Sequence, residues 1–400
     1  MTLGKKILSS AAALAIMGAA AIAADNTSTA IATDGTGDYL VFPVYAADAN
    51  GNWKTNIKVV NTNTTHAVVA KVVIREAINS AEKLDFPIFL SPGDVWEATL
   101  EDVNGEVHLK TTDDSMVVNG VPASTTPVDT PLFAATAPQN NHYGYIEVYG
   151  IASIAGTNVD SSWSPNTPLD KVALYNKYVA DLNGNTNTTD WAAVDADSIY
   201  GQEVLFASNT NGELAMTIPA TAFEGVVGTN PNTVRTIGQN TTFASMITTG
   251  SATTVRNNIT SLLAKSDIYA TFYEGANGGA AETKLILTQP LKYAYGFDNT
   301  YCVTYQTTAR DQEEHANVKS EFYSGGTPVT LNFCPESTWL NVDTASYAKG
   351  YTDYQITSNY LDANNTDTGV PAPIIPVLMT AKNVGGQNVT NAIYPAYKKQ

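Results

Sequence analysis

The sequence predicts a mainly β protein: antiparallel β-sandwich domains with a few short helices in the middle region. Three observations predict it. Thr, Val and Tyr, which favour strands, dominate the chain together with Asn and Gly, which favour turns. Short runs of alternating apolar and polar residues recur between turn signals. These runs are too short and too frequent for βαβ units, and their spacing suits a sandwich.

The chain opens on a segment that reads as a signal peptide over residues 1–23. Lys5 and Lys6 form a positive start, Ile7 to Ala20 is apolar, and Ala21-Ile22-Ala23 is a small-x-small cleavage site before the polar Ala24-Asp25-Asn26. The rival reading is a membrane anchor, but the apolar run falls short of the roughly 20 residues a span needs. No cysteine near the cleavage site offers a lipid attachment point, and no later stretch is apolar enough to span.

The expected strands of a first β domain, residues 35–160, are 39–46, 56–61, 67–76, 86–90, 106–111 and 144–154. In the last, Tyr145, Glu147, Tyr149 and Ile151 share one face, and Ile146, Val148 and Ala152 the other. DFPIFLSPGDVW (85–96) turns at Ser91-Pro92-Gly93-Asp94. Pro92 followed by Gly93 suits a type II turn, and Trp96 is placed to pack back on the strand before it. Pro87 assigns that strand to an edge or a bulge. Nothing nucleophilic or metal-binding stands on the stretch, so it reads as structure: a hairpin turn of Pro92, Gly93 and Trp96.

A mixed region follows, residues 161–265. Thr167-Pro168-Leu169-Asp170 is a helix start with Thr167 as cap, and Leu169, Val172, Leu174 or Tyr175, and Val179 form its apolar stripe before Asn183-Gly184. A second helix is expected at 251–265, where Val255, Ile259, Leu262 and Leu263 share a face. Between them, 201–220 reads as a hairpin turning at Asn209–Gly212. Strands return in a C-terminal β domain, residues 266–400. Its Pro-broken tail, 371–383, suits an edge strand or a segment laid across a surface. A faint echo links 75–92 and 273–290, which share Glu, Asn, Glu, Leu and a final Pro in order.

Net charge is −17, and loss of Lys5 and Lys6 would take it to −19. Nucleic-acid binding wants basic patches, and none is present. Such acidity outside a cell fits solubility, repulsion between copies, or bridging by divalent cations. The two cysteines, Cys302 and Cys334, are expected to form a disulfide in an oxidising compartment. The cleaved chain of about 377 residues suggests two or three domains.

Catalytic signals are sparse. The four histidines, His66, His108, His142 and His315, form no HExxH or clustered spacing, and GxSxG, P-loop and GxGxxG motifs are absent. RDQEEH (310–315) holds adjacent carboxylates whose side chains point apart, so it reads as a solvated turn rather than a glycosidase pair. DLNGNTNTTD (181–190) is the candidate calcium loop: Asp181, Asn183, Asn185, Asn187 and Asp190 alternate oxygen donors around a glycine, off the EF-hand spacing. DANGN (48–52) and DANNTD (362–367) are shorter versions. The 21 tyrosines and five tryptophans offer rings for stacking on sugars, although tyrosine on strands is more often half-buried packing.

Residues 59–100, VVNTNTTHAVVAKVVIREAINSAEKLDFPIFLSPGDVWEATL, resemble the N-terminal signature of a group of secreted proteobacterial proteins known only as "cell surface protein". That signature runs VNT, a basic strand, an Asn-Ser pair, then D-F…SPGDVW. The likeness continues at GYIEVYGIA (144–152), LFASNTNGELAMTIPATAF (205–223), SDIYATF (266–272) and RDQEE (310–314). Tyr269 stands where the group has Trp-Val, and Gln312 where it has Arg. The resemblance implies an exported protein at the outer surface of a Gram-negative bacterium, mainly β, and carries no reaction. The expected function is a structural surface protein that assembles with itself into a layer, sheath or filament, with no enzymatic activity. Residues 25–40 are a candidate strand to donate to a neighbour. The alternatives are a monomeric adhesin that binds glycans or cell-envelope components, and a hydrolase.

Overall fold

A computed structural model describes residues 28–48, 53–133, 141–182, 189–195, 197–209, 212–227, 242–247, 251–274, 281–319, 321–324, 327–384 and 387–399. The expected signal peptide lies outside them. In chain order, the first strands are β1 (Ala30–Ile31), β2 (Thr36–Gly37), β3 (Tyr39–Ala46), β4 (Trp53–Asn61), β5 (His66–Glu76), β6 (Glu82–Leu90), β7 (Val95–Val103) and β8 (Glu106–Thr111). Next come β9 (Val117–Val118), β10 (Val121–Pro122), β11 (Val128–Pro131) and β12 (Tyr143–Ala155), then helices α1 (Gly156–Val159) and α2 (Lys171–Asp181). The middle holds β13 (Trp191–Ala192), β14 (Ile199–Asn209), β15 (Gly212–Pro219) and β16 (Thr221–Glu224), with α3 (Phe243–Met246) and α4 (Ala252–Leu263). After them run β17 (Lys265–Phe272), β18 (Glu282–Thr288), β19 (Cys302–Asp311), β20 (Ala316–Lys319), β21 (Glu321–Ser324) and β22 (Thr327–Thr330). The last are β23 (Asn332–Phe333), β24 (Ser337–Asn341), β25 (Gly350–Leu361), β26 (Ile375–Val384), β27 (Gln387–Ile393) and β28 (Ala396–Lys399).

The first sheet has the order β1-β16-β3-β12-β5-β6, and the second β11-β8-β7-β4-β14-β15. They form a sandwich. Phe42, Val72, Ile74, Ile88, Ile146 and Val148 of the first sheet share one core with Ile57, Val59, Trp96 and Leu100 of the second. A third sheet, β20-β19-β25-β17-β28, faces a fourth, β24-β18-β26-β27. Phe272, Val303 and Tyr354 meet Leu285, Leu287 and Leu378 between them. The other face of the fourth sheet, through Ile286, Val377 and Met379, packs on Val44, Ala46, Leu205 and Ile218.

The predicted strands at 39–46, 56–61, 67–76, 86–90, 106–111 and 144–154 all form, several a few residues longer. Residues 35–160 are not closed on themselves. β14 pairs with β4, and β16 pairs with β3, so the segment 199–224 completes both sheets. β1 and β2 pair with β16 and β14 of the same chain, so residues 30–31 and 36–37 are used internally rather than offered to a neighbour. In β12 a bulge between Gly150 and Ala152 changes the phase, and Ala152 joins Tyr145, Tyr149 and Ile151 instead of opposing them.

Helix α2 is capped by Asp170, not Thr167. The Asp170 carboxylate accepts from the N–H groups of Val172 and Ala173, while the Thr167 hydroxyl donates to the Ser164 carbonyl. α2 buries Lys171, Leu174, Tyr178 and Asp181, and α4 buries Val255, Ile259 and Leu263. Both helices cover the face of the first sheet that turns away from the sandwich. The tail contradicts its expected edge position, because β26 lies between β18 and β27. Pro376 is tolerated there because pairing with β27 begins only at Leu378, so its missing N–H breaks no bond on that side. The two echoing segments differ in use: β5 and β6 form a hairpin, whereas β17 and β18 belong to different sheets.

Candidate functional site

The SPGDVW stretch is a turn with a type II signature: the Asp94 N–H donates to the Ser91 carbonyl at 3.1 Å, and Gly93 has φ +71°. It is not a hairpin within one sheet. β6 is the edge of the first sheet and β7 belongs to the second, so the turn carries the chain across the sandwich. Trp96 is fully buried beside Phe86, ring centres 5.7 Å apart. The side chain of Asn61 donates to the carbonyls of His66 (2.8 Å) and Ser91 (2.9 Å), and the Gly93 N–H donates to the Asn63 carbonyl (2.9 Å). The VNT and SPGD turns are thus knitted together. Asp94 accepts from the Ser91 N–H and the Ser115 hydroxyl and is ion-paired with Lys171 of α2. Burial pulls the Lys171 ammonium down to about 7.

A second polar cluster lies under α3 and α4. Arg75 and Glu147 form an ion pair whose side chains are 3% and 0% exposed, so neither charge is solvated by bulk water. Glu147 also accepts from Tyr39 OH (2.6 Å) and Tyr293 OH (3.0 Å). The Arg75 guanidinium lies 3.9 Å from the Tyr293 ring centre and donates to the Ser80 carbonyl, and Tyr145 OH donates to Ser80 Oγ at 2.7 Å. Burial, and then the Glu147 charge, push the Tyr39, Tyr145 and Tyr149 hydroxyls up, so they stay protonated. Lys71 and Asp85 form a further enclosed pair at 2.7 Å. Residues of the resemblance (Arg75 of the basic strand, Ser80 of the Asn-Ser pair, Glu147 of GYIE) therefore meet in one buried network. Its geometry holds the sheet, the 77–81 turn and the 290–295 segment together.

The other predicted sites are placed as follows. Cys302 and Cys334 are disulfide-bonded, tying the start of β19 to the segment after β23. Of the candidate calcium ligands, Asn183, Asn185 and Asn187 lie outside the described residues. Asp181 and Asp190 flank Lys177, whose ammonium reaches them at 2.9 and 2.7 Å, and Asp181 also accepts from Trp191 Nε1. An ammonium thus stands between the two carboxylates. RDQEEH is the exposed turn between β19 and β20. Asp311 accepts from the Glu313 and His315 N–H groups, and its other oxygen pairs with His315 Nδ1 at 2.7 Å. A cleft of about 300 Å³ is lined by Thr242, Phe243, Arg256 and Tyr293 among others, and Arg256 stacks on Tyr295 beside it.

One grouping escaped the motif reading. Asp48, Asp102 and His142 come from the ends of β3, β7 and the approach to β12, and their ligand atoms lie within 4.8 Å of one another. The separations along the chain, 48 to 102 to 142, make no motif. The only sequence signal was Asp48 at the head of DANGN. Compared with known proteins, the chain matches no family model, no curated protein and no solved structure.

Proposed function

We propose that the chain is an exported structural protein of the bacterial cell surface that assembles with copies of itself. One observation carries the assembly: the third sheet ends on both sides in exposed strands. All four residues of β28 are exposed, and Val318 on β20 is 62% exposed. Unpaired strand edges are templates for another chain. Export is supported by the pattern of residues 1–23 and by the bonded cysteine pair, which persists in oxidising compartments. The residues that carry the family resemblance support a structural role, since they are engaged in internal ion pairs and turns.

The rival reading is a monomeric glycan-binding adhesin. It is favoured by Tyr269 and Tyr351, half-buried neighbours 6.2 Å apart on the side of the third sheet facing away from its core. One experiment separates the two. The chain from residue 24 is sized by light scattering and imaged in negative stain. Regular assemblies are expected. A monomer of about 40 kDa at every concentration, together with glycan-array binding, would overturn self-assembly in favour of the adhesin.

A further inference from the structure

We propose that Asp48, Asp102 and His142 bind a divalent transition cation of the zinc class, as a structural stitch at one end of the sandwich. The three residues converge from both sheets. Asp48 follows β3, beside the bridge it makes to Trp53 at the start of β4; Asp102 lies near the end of β7; His142 precedes β12. Their side chains are 15%, 4% and 11% exposed, unlike those of a solvated acidic turn.

The first argument is His142. Its Nε2 is enclosed and takes no hydrogen bond, although an Asp102 oxygen stands 3.3 Å away. An enclosed ring nitrogen without a hydrogen bond is costly unless something else satisfies it. Two ligand atoms each about 2.1 Å from a tetrahedral zinc lie roughly 3.4 Å apart, so the 3.3 Å separation suits two ligands of one ion.

The second argument is how the carboxylates are held. Asp102 accepts from the Gly105 N–H through Oδ1 at 2.8 Å and turns Oδ2 to His142. Asp48 accepts from Tyr143 OH through Oδ2 at 3.0 Å, and its Oδ1 lies 4.0 Å from His142 Nδ1, the other ring nitrogen. In Asp102 one oxygen is fixed by a protein donor while the other faces His142 Nε2, which is how outer groups orient metal ligands; Asp48 brings the third ligand atom within 4.8 Å of these two. One imidazole and two carboxylates suit zinc, and the imidazole disfavours the hard oxygen-seeking calcium.

The test uses the purified chain stripped with chelator and dialysed. Zinc is titrated by calorimetry, and the melting temperature is read with and without one equivalent. The expected result is one zinc per chain and a higher melting temperature. Measured in a His315→Gln background, which disables the exposed grouping of Asp311, Glu313 and His315, His142→Gln and Asp102→Asn should each weaken binding at least tenfold, while His66→Gln at the start of β5 leaves it unchanged. Absence of stoichiometric zinc binding by the unaltered chain would overturn the proposal even if the variants failed to fold. Undiminished binding by folded His142→Gln would do the same. Millimolar calcium should neither compete nor raise the melting temperature; full competition would overturn the assigned cation class.

Discussion

Breaking the Arg75–Glu147 pair from one side would leave a charge where bulk water does not reach. Removing one member of a buried pair costs about 3–5 kcal/mol, whereas replacing both with apolar groups of similar size is often neutral. Arg75→Met should therefore destabilise by about that amount in urea unfolding. Glu147→Leu added to it should recover part of the loss, limited by the Tyr39 and Tyr293 hydroxyls that would lose their acceptor. Glu203 poses a different problem. It is fully buried in β14, and among the described residues its Oε1 accepts only the Val44 N–H, at 3.2 Å, while Oε2 has no hydrogen bond. Burial pushes its carboxyl well above the ordinary range. A group whose pKa is raised by folding binds its proton more tightly in the folded state. Its contribution is complete below the unfolded value near 4.5 and is lost as pH rises toward the folded value. Glu203→Gln, neutral at every pH, should melt higher than the parent at pH 8 and within a degree or two of it at pH 4. A variant that melted lower at pH 8 would show that the charged form is the one the fold uses.

At the scale of elements, the SPGD turn stands on Asp94. Asp94→Ala removes the acceptor of the Ser91 N–H and the Ser115 hydroxyl and leaves Lys171 without its carboxylate. The cost should be about 2–4 kcal/mol, with Asp94→Asn retaining part through its amide oxygen. Lys171→Met in the Asp94→Ala background should restore some of the loss, measured as a coupling in a double-mutant cycle. The sequence announced the turn, its glycine and the burial of Trp96, because those follow from local rules of φ and alternation. It did not announce that the turn joins two sheets, since alternation says which residues face a core but not which core. The same limit explains the C-terminal tail, where Pro376 suggested an edge and the neighbour on its far side simply starts two residues later. Lys171 and the Asp48–Asp102–His142 grouping were illegible for a stricter reason: partners tens of residues apart leave no spacing to read. Arg75 and Glu147 were visible only as charges on strands, and their pairing needed the register of β5 against β12.

At the scale of the whole molecule, the direction of the edge strands decides what kind of assembly the third sheet can build. β20, β19, β25, β17 and β28 are each antiparallel to the next, so β20 and β28 run the same way. A copy added by translation would place β28 beside β20 in parallel and generate an open head-to-tail chain. A copy added by a two-fold axis would place β28 against β28, or β20 against β20, in antiparallel pairs. Antiparallel pairs are the more stable per residue and the more frequent, so alternating two-fold contacts are the expected arrangement. The two modes give different answers to one substitution. Val318→Lys puts a charge on the β20 edge at an exposed position, where folding stability should change by less than about 0.5 kcal/mol. If contacts alternate, this variant stops at a dimer held by β28, and Tyr397→Lys stops at a dimer held by β20. If contacts are head-to-tail, each variant is a monomer, because every contact needs both edges. Light scattering on the two single variants and their combination distinguishes the cases: dimer, dimer and monomer for alternating two-folds, and monomer throughout for translation. Assemblies of undiminished size in the double variant would mean that neither edge is the contact.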